Sequence, residues 1–342
     1  MEIAGLLGDN YAITLWSLGF GLSISYFTCF YYPHLLFEKK NLGMQGKVKV
    51  IGHRGSRLEG LPENTISAFK DAINAGADVI ELDVWLTKDE HVVVHHDDTY
   101  TRMTQGKCNE YVTNVSKNQI PKIIPEKNQC EKCNKISNKS EWEQIPLLDT
   151  VLQNTPSNVT IIIEFKQDSD VLIQKVLDIL NQIDRKSNIY WFSLDEKINK
   201  KLRKANKNIP TITSITGMLK ILGLYYIGLL PFHEIEDSVF GITVDEITYD
   251  KVLKEKAIAS FPLWVKRILA ALLKGKPPYI MVAPRLFHHL KKRGIPVWFL
   301  GVNDEKDLHI AVKAGATAVL TDRINWIVPY INNNNIKLTE PM

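Results

Sequence analysis

Apolar positions along the chain fall into short runs separated by polar stretches of helical spacing. Candidate strands run over Val48–Gly52, Val79–Val84, Thr160–Phe165, Asn188–Phe192, Pro210–Ser214, Phe240–Val244, Ile295–Leu300 and Ala318–Thr321. Each is rich in Val and Ile and reads as buried on both faces, as covered parallel strands do. Helical spacing appears between most of them, at Thr65–Ala75, Val171–Ile183, Glu196–Asn206, Pro284–Lys292 and Glu305–Ala314. Eight strands with intervening helices predict an α/β fold, a TIM (β/α)8 barrel over residues 48–330 followed by a tail at 331–342. An open doubly wound sheet is the alternative that alternation does not separate from it.

Two stretches break the rhythm. From about Gln105 to Glu143 the chain is polar, rich in Lys and Asn, and holds Cys108, Cys130 and Cys133. Its length and lack of period predict a small excursion beside the barrel mouth. Three cysteines without a nearby His make a weak zinc site, so free or paired thiols are expected there. From Gly217 to Gly275 two apolar stretches occur, Met218–Phe232 and Ile258–Leu273. Both are short for a span, and Lys220, Lys266 and Arg267 interrupt them. They read either as barrel helices with a wide buried face or as segments that dip into a lipid interface near Trp264.

The N-terminus follows another pattern. Between Asp9 and Glu38 there is no Asp, Glu, Lys or Arg. Helix of about 20 residues crosses a hydrocarbon core, so residues 1–40 are expected to form a single-pass transmembrane anchor at the endoplasmic reticulum or another endomembrane. Lys39, Lys40, Lys47 and Lys49 after the span place the large domain in the cytosol by the positive-inside rule. The triplets beginning at Asn114, Asn138 and Asn158 would be glycosylation acceptors only in a lumen, so sidedness stays open.

The 342 residues, 45% hydrophobic and 23% charged, suit a folded core. A net charge of +4 is too small to suggest nucleic acid as a partner, but suits a mildly anionic lipid surface.

The chemistry lies in four segments: Ile51–Gly55 with Pro62–Thr65, Val79–Asp89, Val93–Asp97 and Ile161–Lys166. Glu81 and Asp83 stand two apart on a strand, so their carboxylates share a face, and Glu164 sits in another apolar strand. Buried negative charges without partners are costly. Three of them facing one centre read as ligands for a hard divalent cation, Mg²⁺ or Ca²⁺. Buried salt bridges to Arg54 and Lys166 would explain any one of them, but not all three beside His53 and His96. The two histidines suit proton transfer, and Arg54 and Lys166 suit clamping a phosphate. His95 should point away from His96 and be structural.

Taken together and in order, His53–Gly55, Glu63–Thr65, Glu81–Val84 with Thr87–Asp89, His95–Asp97 and Glu164–Lys166 resemble the glycerophosphodiester phosphodiesterase family. The likeness covers about residues 48 to 330, including Val297–Asn303 and Gly315–Asp322. It implies a TIM barrel with a small insertion and catalytic His53 and His96. It also implies Glu81, Asp83 and Glu164 as metal ligands, and Arg54, Lys166 and Trp298 as phosphate and substrate contacts. Glu63 would be a supporting carboxylate in that set. Attack by the substrate's own hydroxyl would give a cyclic phosphate that water then opens. The N-terminal run and Leu229–Phe232 look most similar to the animal membrane-bound members, which act as lysophospholipases D. Those release choline or N-acylethanolamine and leave lysophosphatidic acid. The expected partners are therefore a lysophospholipid substrate and membrane lipid. The alternative substrate is a water-soluble glycerophosphodiester. One departure from the family pattern is Arg323-Ile324 after Thr321-Asp322, where many relatives carry Pro.

Overall fold

The computed structural model describes residues 2–40, 49–125, 130–185, 188–243, 262–272 and 282–336. The basic linker at 41–48, the start of the second apolar stretch at 258–261 and the tail from 337 lie outside the described residues.

An N-terminal helix α1 (Glu2–Tyr31) precedes β1 (Lys49–Gly52), α2 (Ile66–Asn74), β2 (Val79–Leu86) and β3 (Val92–Val94). Next come α3 (Ser140–Glu143), α4 (Leu148–Gln153), β4 (Thr160–Phe165), α5 (Asp170–Gln182), β5 (Ile189–Phe192), α6 (Glu196–Ala205), α7 (Ile215–Tyr226) and β6 (Phe240–Thr243). The chain continues through α8 (Leu263–Leu272), α9 (Pro284–Lys292), β7 (Val297–Leu300), α10 (Glu305–Ala314), β8 (Ala318–Thr321) and α11 (Ile324–Asn333).

The parallel sheet runs β5-β4-β2-β1-β8-β7-β6. Single parallel bridges, Trp191 to Thr211 and Ile212 to Val239, join its two edges through the segment expected as the strand Pro210–Ser214. That segment supplies the remaining stave of a TIM-type α/β barrel. Alternation on the strands sorts side chains between two cores. Ile80, Leu82 and Val84 of β2 and Ile161, Ile163 and Phe165 of β4 pack outward beneath the helices. Val79, Ile162, Tyr190, Ile212 and Trp298 fill the barrel interior. Helices start where the sequence offers a cap: Thr65, Ser169, Asp195, Ser214 and Asp304 each accept a backbone N–H of the first turn.

One feature the periodicity does not reveal is β3. It folds back antiparallel on the outer end of β2, pairing Val84 with Val94 and Leu86 with Val92. The excursion then packs its own small core of Tyr100, Met103, Val112, Val115 and Ile123 against Val93. Cys130 and Cys133 form a disulfide, while Cys108 is free, so the zinc reading does not hold.

The transmembrane expectation is corrected. Among the described residues no helix is long and apolar enough to cross a membrane. Helix α1 is 30 residues long. Its charge-free stretch is diluted by Gly19, Gly21, Ser17, Ser23, Ser25, Thr14 and Thr28, and absence of charge is not apolarity. The single-pass endomembrane location built on that span falls with it. Its C-terminal end docks on the barrel instead. Phe30 is buried and stacks on His289, 4.7 Å between centroids, and its carbonyl bonds His289 Nδ1 at 2.7 Å. Lys292 Nζ reaches the carbonyl of Tyr31, and Lys40 Nζ those of Glu236 and Asp237. His289 and Asp237 sit just before β7 and β6 in the chain, so the C-terminal end of α1 leans on α9 near the end of the barrel where strands begin, while Leu15, Trp16, Leu18 and Phe20 stay exposed. The exposed side chains Tyr226, at the end of α7, and Ile227, Leu229 and Phe232 after it lie at that same end. Met218, Ile221 and Leu222 of the same stretch are buried, as expected of a barrel helix.

Candidate active site

The other end of the barrel, where strands finish, gathers the polar residues. On β2, Val79, Glu81 and Asp83 point inward while their neighbours point out. Register then aligns Asp83 with Glu164 and Glu81 with Ile162. Oxygen atoms of Glu81, Asp83 and Glu164 lie within 4.8 Å of one another, and all three residues are buried.

Three carboxylates at this spacing cannot all be charged without cations. Burial, Asp83 and Glu164 raise the Glu81 carboxyl well above its ordinary value. Burial also raises Glu164. Burial works against Asp83 too, but Lys166 and Arg54 hold it far down. Lys166 Nζ lies 2.7 Å from Glu164 Oε1 and 3.0 Å from Asp83 Oδ1. Asn64 Nδ2 donates to Asp83 Oδ2 at 2.8 Å, and the Arg54 backbone N–H donates to Glu81 Oε2 at 3.0 Å. Glu81 Oε1 and Asn64 Oδ1 are buried with no hydrogen-bond partner. All-oxygen donors, a surplus of negative charge and unsatisfied acceptors fit a hard divalent cation.

The β1–α2 loop is shaped for this task. Arg54 and Asn64 adopt left-handed φ of 53° and 57°, and Asn64 N–H bonds the Arg54 carbonyl. Such backbone costs of order 1–3 kcal/mol per residue and persists where surroundings impose it. Gly55 has φ 83°, and a Cβ there would stand 2.6 Å from the Ala68 backbone, so the third position of His-Arg-Gly admits no side chain.

His53 leaves the end of β1, and His96 follows β3, so the hairpin is what brings the second histidine over the barrel mouth. Each ring has a carboxylate on Nδ1. Asp322 Oδ1 is 2.6 Å from His53, and Asp97 Oδ1 is 2.6 Å from His96. His53 Nε2 is 3.9 Å from Glu81 Oε2. Burial works against the Asp322 carboxylate, but the His53 hydrogen bond and charge hold it at about 2. Asn303 Nδ2 and a 3.8 Å ion pair with Arg57 support it further. A cleft of about 680 Å³ opens beside this mouth, lined by Trp85, His96, Glu164, Lys166, Ser193 and Leu194 among others.

The structure thus brings together His53, His96, Arg54, Lys166, Glu81, Asp83 and Glu164. It holds two further expected residues in contacts of their own. Trp298 is fully buried in the barrel interior against Tyr190 and does not reach the mouth. The residue that β7 presents there on the same face is Leu300, which is partly exposed. Glu63 spends both oxygens on arginines, Arg54 and Arg102 on Oε1 and Arg57 on Oε2. His95 is buried, with Nε2 on the Thr99 carbonyl, and takes no part in the mouth. The sequence reading missed Asp322, Asp97, Arg57 and Arg102. Asp97 was visible as the residue after His96, but Asp322 lies 269 positions from its partner.

The chain is similar in sequence and in fold to several known proteins. The chain is 34% identical over 322 residues to lysophospholipase D GDPD1 of Rattus norvegicus, covering 92% of this chain and 95% of that protein. A glycerophosphodiester phosphodiesterase of Caldanaerobacter subterraneus is 29% identical over 290 residues, covering 81% and 94%. Among solved structures, a glycerophosphoryl diester phosphodiesterase domain from Mycobacterium tuberculosis shares the fold, with TM-score 0.60, 15% identity and coverage of 83% and 99%. A phosphodiesterase from Oleispira antarctica, bound to sn-glycerol-3-phosphate, matches with TM-score 0.56, 18% identity and coverage of 84% and 97%. A model of the glycerophosphoryl diester phosphodiesterase family matches residues 53–326. With that match over most of its length and its buried acidic triad flanked by two histidines, the chain belongs to the glycerophosphoryl diester phosphodiesterase family, hydrolases of phosphoric diesters.

Proposed function

We propose that this chain is a lysophospholipase D that hydrolyses lysophospholipids such as lysophosphatidylcholine and N-acyl lysophosphatidylethanolamine to lysophosphatidic acid and a free head group. The observation that carries the substrate is the likeness to lysophospholipase D GDPD1, 34% identical over 92% of this chain. The same likeness extends to the human protein of that name, at 32%. The water-soluble glycerophosphodiester reading is favoured by the Caldanaerobacter relative, and both substrates present the same diester to the same residues.

Glu81, Asp83 and Glu164 would hold a divalent cation, Mg²⁺ or Ca²⁺. Bound there, such an ion supplies positive charge to the phosphoryl oxygens. Arg54 and Lys166, the cations of the mouth, orient the phosphate beside it. His53 and His96 carry the protons. One takes the proton of the glycerol hydroxyl as that oxygen forms its bond to phosphorus, giving a cyclic phosphate. The other donates a proton to the head-group oxygen as its bond to phosphorus breaks. Water then opens the ring with the two roles exchanged. Asp322 and Asp97 accept from Nδ1 of each ring, which leaves Nε2 of each ring available for proton transfer.

The test is head-group release from lysophosphatidylcholine, N-acyl lysophosphatidylethanolamine and glycerophosphocholine, each with Mg²⁺ or Ca²⁺. Release from the lipids at rates matching or exceeding the soluble diester supports the proposal. Turnover of glycerophosphocholine alone would assign the chain to the soluble substrates.

A further inference from the structure

Glu63 stands at the centre of a chain of charges that joins the two histidines. On one side Arg102 Nη2 bonds Glu63 Oε1 at 2.6 Å, Arg102 Nε bonds Asp97 Oδ2 at 2.7 Å, and Asp97 Oδ1 holds His96. On the other, Arg57 Nε pairs with Glu63 Oε2 at 3.4 Å, Arg57 Nη1 pairs with Asp322 Oδ1 at 3.8 Å, and Asp322 holds His53. Arg54 Nη1 adds a third cation to Glu63 at 3.1 Å. Arg54 also pairs with Asp83 at 3.2 Å, which ties this chain of charges to the acidic triad. Burial would raise Glu63, but Arg54, Arg102 and Arg57 hold it below the usual carboxylate range.

We propose that Glu63 is a positioning residue that locks the two histidine arms into one unit through Arg57 and Arg102. The physical need is plain. His53 leaves β1 and His96 leaves the β2–β3 hairpin, yet both must address one phosphate at the same time. Rings supported separately would wander independently; a shared anionic anchor fixes their separation, because each guanidinium bridges two carboxylates in a planar fork. Glu63 is 7% exposed, while the Arg102 and Arg57 side chains that reach it are 44% and 33% exposed, so the shielding lies at the anchor rather than along the arms. The two arms differ in strength. The Arg102 arm is hydrogen-bonded throughout, whereas the Arg57 arm consists of longer ion pairs, so loss of Arg102 should weigh more.

Glu63→Gln would leave three arginines facing one another and could unfold the loop, so the test uses the arginines. Arg57→Gln, Arg102→Gln and the double variant are assayed as full-length, metal-loaded protein with glycerophosphocholine and lysophosphatidylcholine in parallel. The inference rests on the phosphodiesterase reading of the site but not on the substrate. If the lipid fails as a substrate, the lysophospholipase proposal falls and the cycle is still read on glycerophosphocholine. The expected result is a kcat loss of roughly 10-fold for Arg57→Gln and roughly 100-fold for Arg102→Gln, with KM within about twofold. The double variant should lose little more than Arg102→Gln alone, because one unit can be broken only once. Arg102→Lys should recover part of the rate. Independently, Arg57→Gln should move the imidazole ¹⁵N resonances of His96, although Arg57 belongs to the other arm. Losses that multiply, or losses confined to KM, would show that the arginines act separately or clamp substrate. Unmoved His96 resonances in Arg57→Gln would likewise overturn the shared anchor.

Discussion

Asp322 Oδ1 lies 2.6 Å from His53 Nδ1 and thereby fixes which nitrogen of that ring faces the acidic triad. The residues meet because β8 and β1 are adjacent parallel strands whose last residues, Thr321 and Gly52, are in register. A carboxylate that only accepts forces the ring proton onto Nδ1 and leaves Nε2 available for proton transfer.

Asp322→Asn should therefore retain the fold and lose the reaction. An amide can present its N–H to Nδ1 and stabilise the wrong tautomer, so kcat should fall by about 10²-fold or more, with KM little changed. Steady-state kinetics on glycerophosphocholine checks this. A kcat within a factor of two of the unaltered protein would remove Asp322 from the machinery.

Removing the divalent cation with a chelator should abolish turnover, and readdition should restore it. Glu81→Gln and Glu164→Gln should each weaken metal affinity by about 10²-fold or more, since loss of a supporting group alone costs about 10–100-fold. Calorimetric titration of the chelated protein measures the affinity directly. Binding that is unchanged in both variants would exclude the triad as the metal site.

The docking of α1 should respond to acid. Burial lowers the His289 pKa from 6.5 to about 4, because its ring is enclosed beside Phe30. The unfolded chain then binds a proton between those values that the folded chain refuses. Stability is present above pH 6.5, declines as pH falls toward 4, and changes no further below it on this account. The decline is at most about 3 kcal/mol by linkage. Denaturant unfolding from pH 7 to 4 should show that slope, and His289→Gln should flatten it. Equal slopes in both proteins would locate the acid sensitivity elsewhere.

Trp298 and Leu300 separate packing from recognition. Trp298→Ala empties part of the barrel interior and should cost about 3–5 kcal/mol in stability. Leu300→Ala stands at the mouth and should change KM for lipid or diester with a much smaller fall in Tm. Thermal unfolding and kinetics on the two variants decide it; a large KM change from Trp298→Phe without loss of Tm would assign substrate contact to the tryptophan.

Local chemistry alone pointed to the acidic triad. Glu81, Asp83 and Glu164 stand out because a charged residue inside a Val- and Ile-rich strand has no bland explanation, and strand period two aims the first two at one centre. The eight staves were legible for the same reason, each needing only its own hydrophobic run. The excursion at 105–143 was legible as a break in rhythm, but not the disulfide that joins Cys130 to Cys133 within it. The N-terminal helix departs from the expected span because its charge-free stretch is rich in Gly, Ser and Thr. His289, which donates Nδ1–H to the Phe30 carbonyl across 259 positions, gives no sign in either segment alone.

What the sequence determined by itself was the set of strands, the acidic triad and the two histidines, because these depend on spacing within a few residues. Only the tertiary structure decided the partners: Asp322 for His53, the β3 hairpin that carries His96, Glu63 between Arg57 and Arg102, and α1 at the far end of the barrel. Those contacts are made by barrel closure and register, which bring distant segments together and leave no periodic mark in the chain.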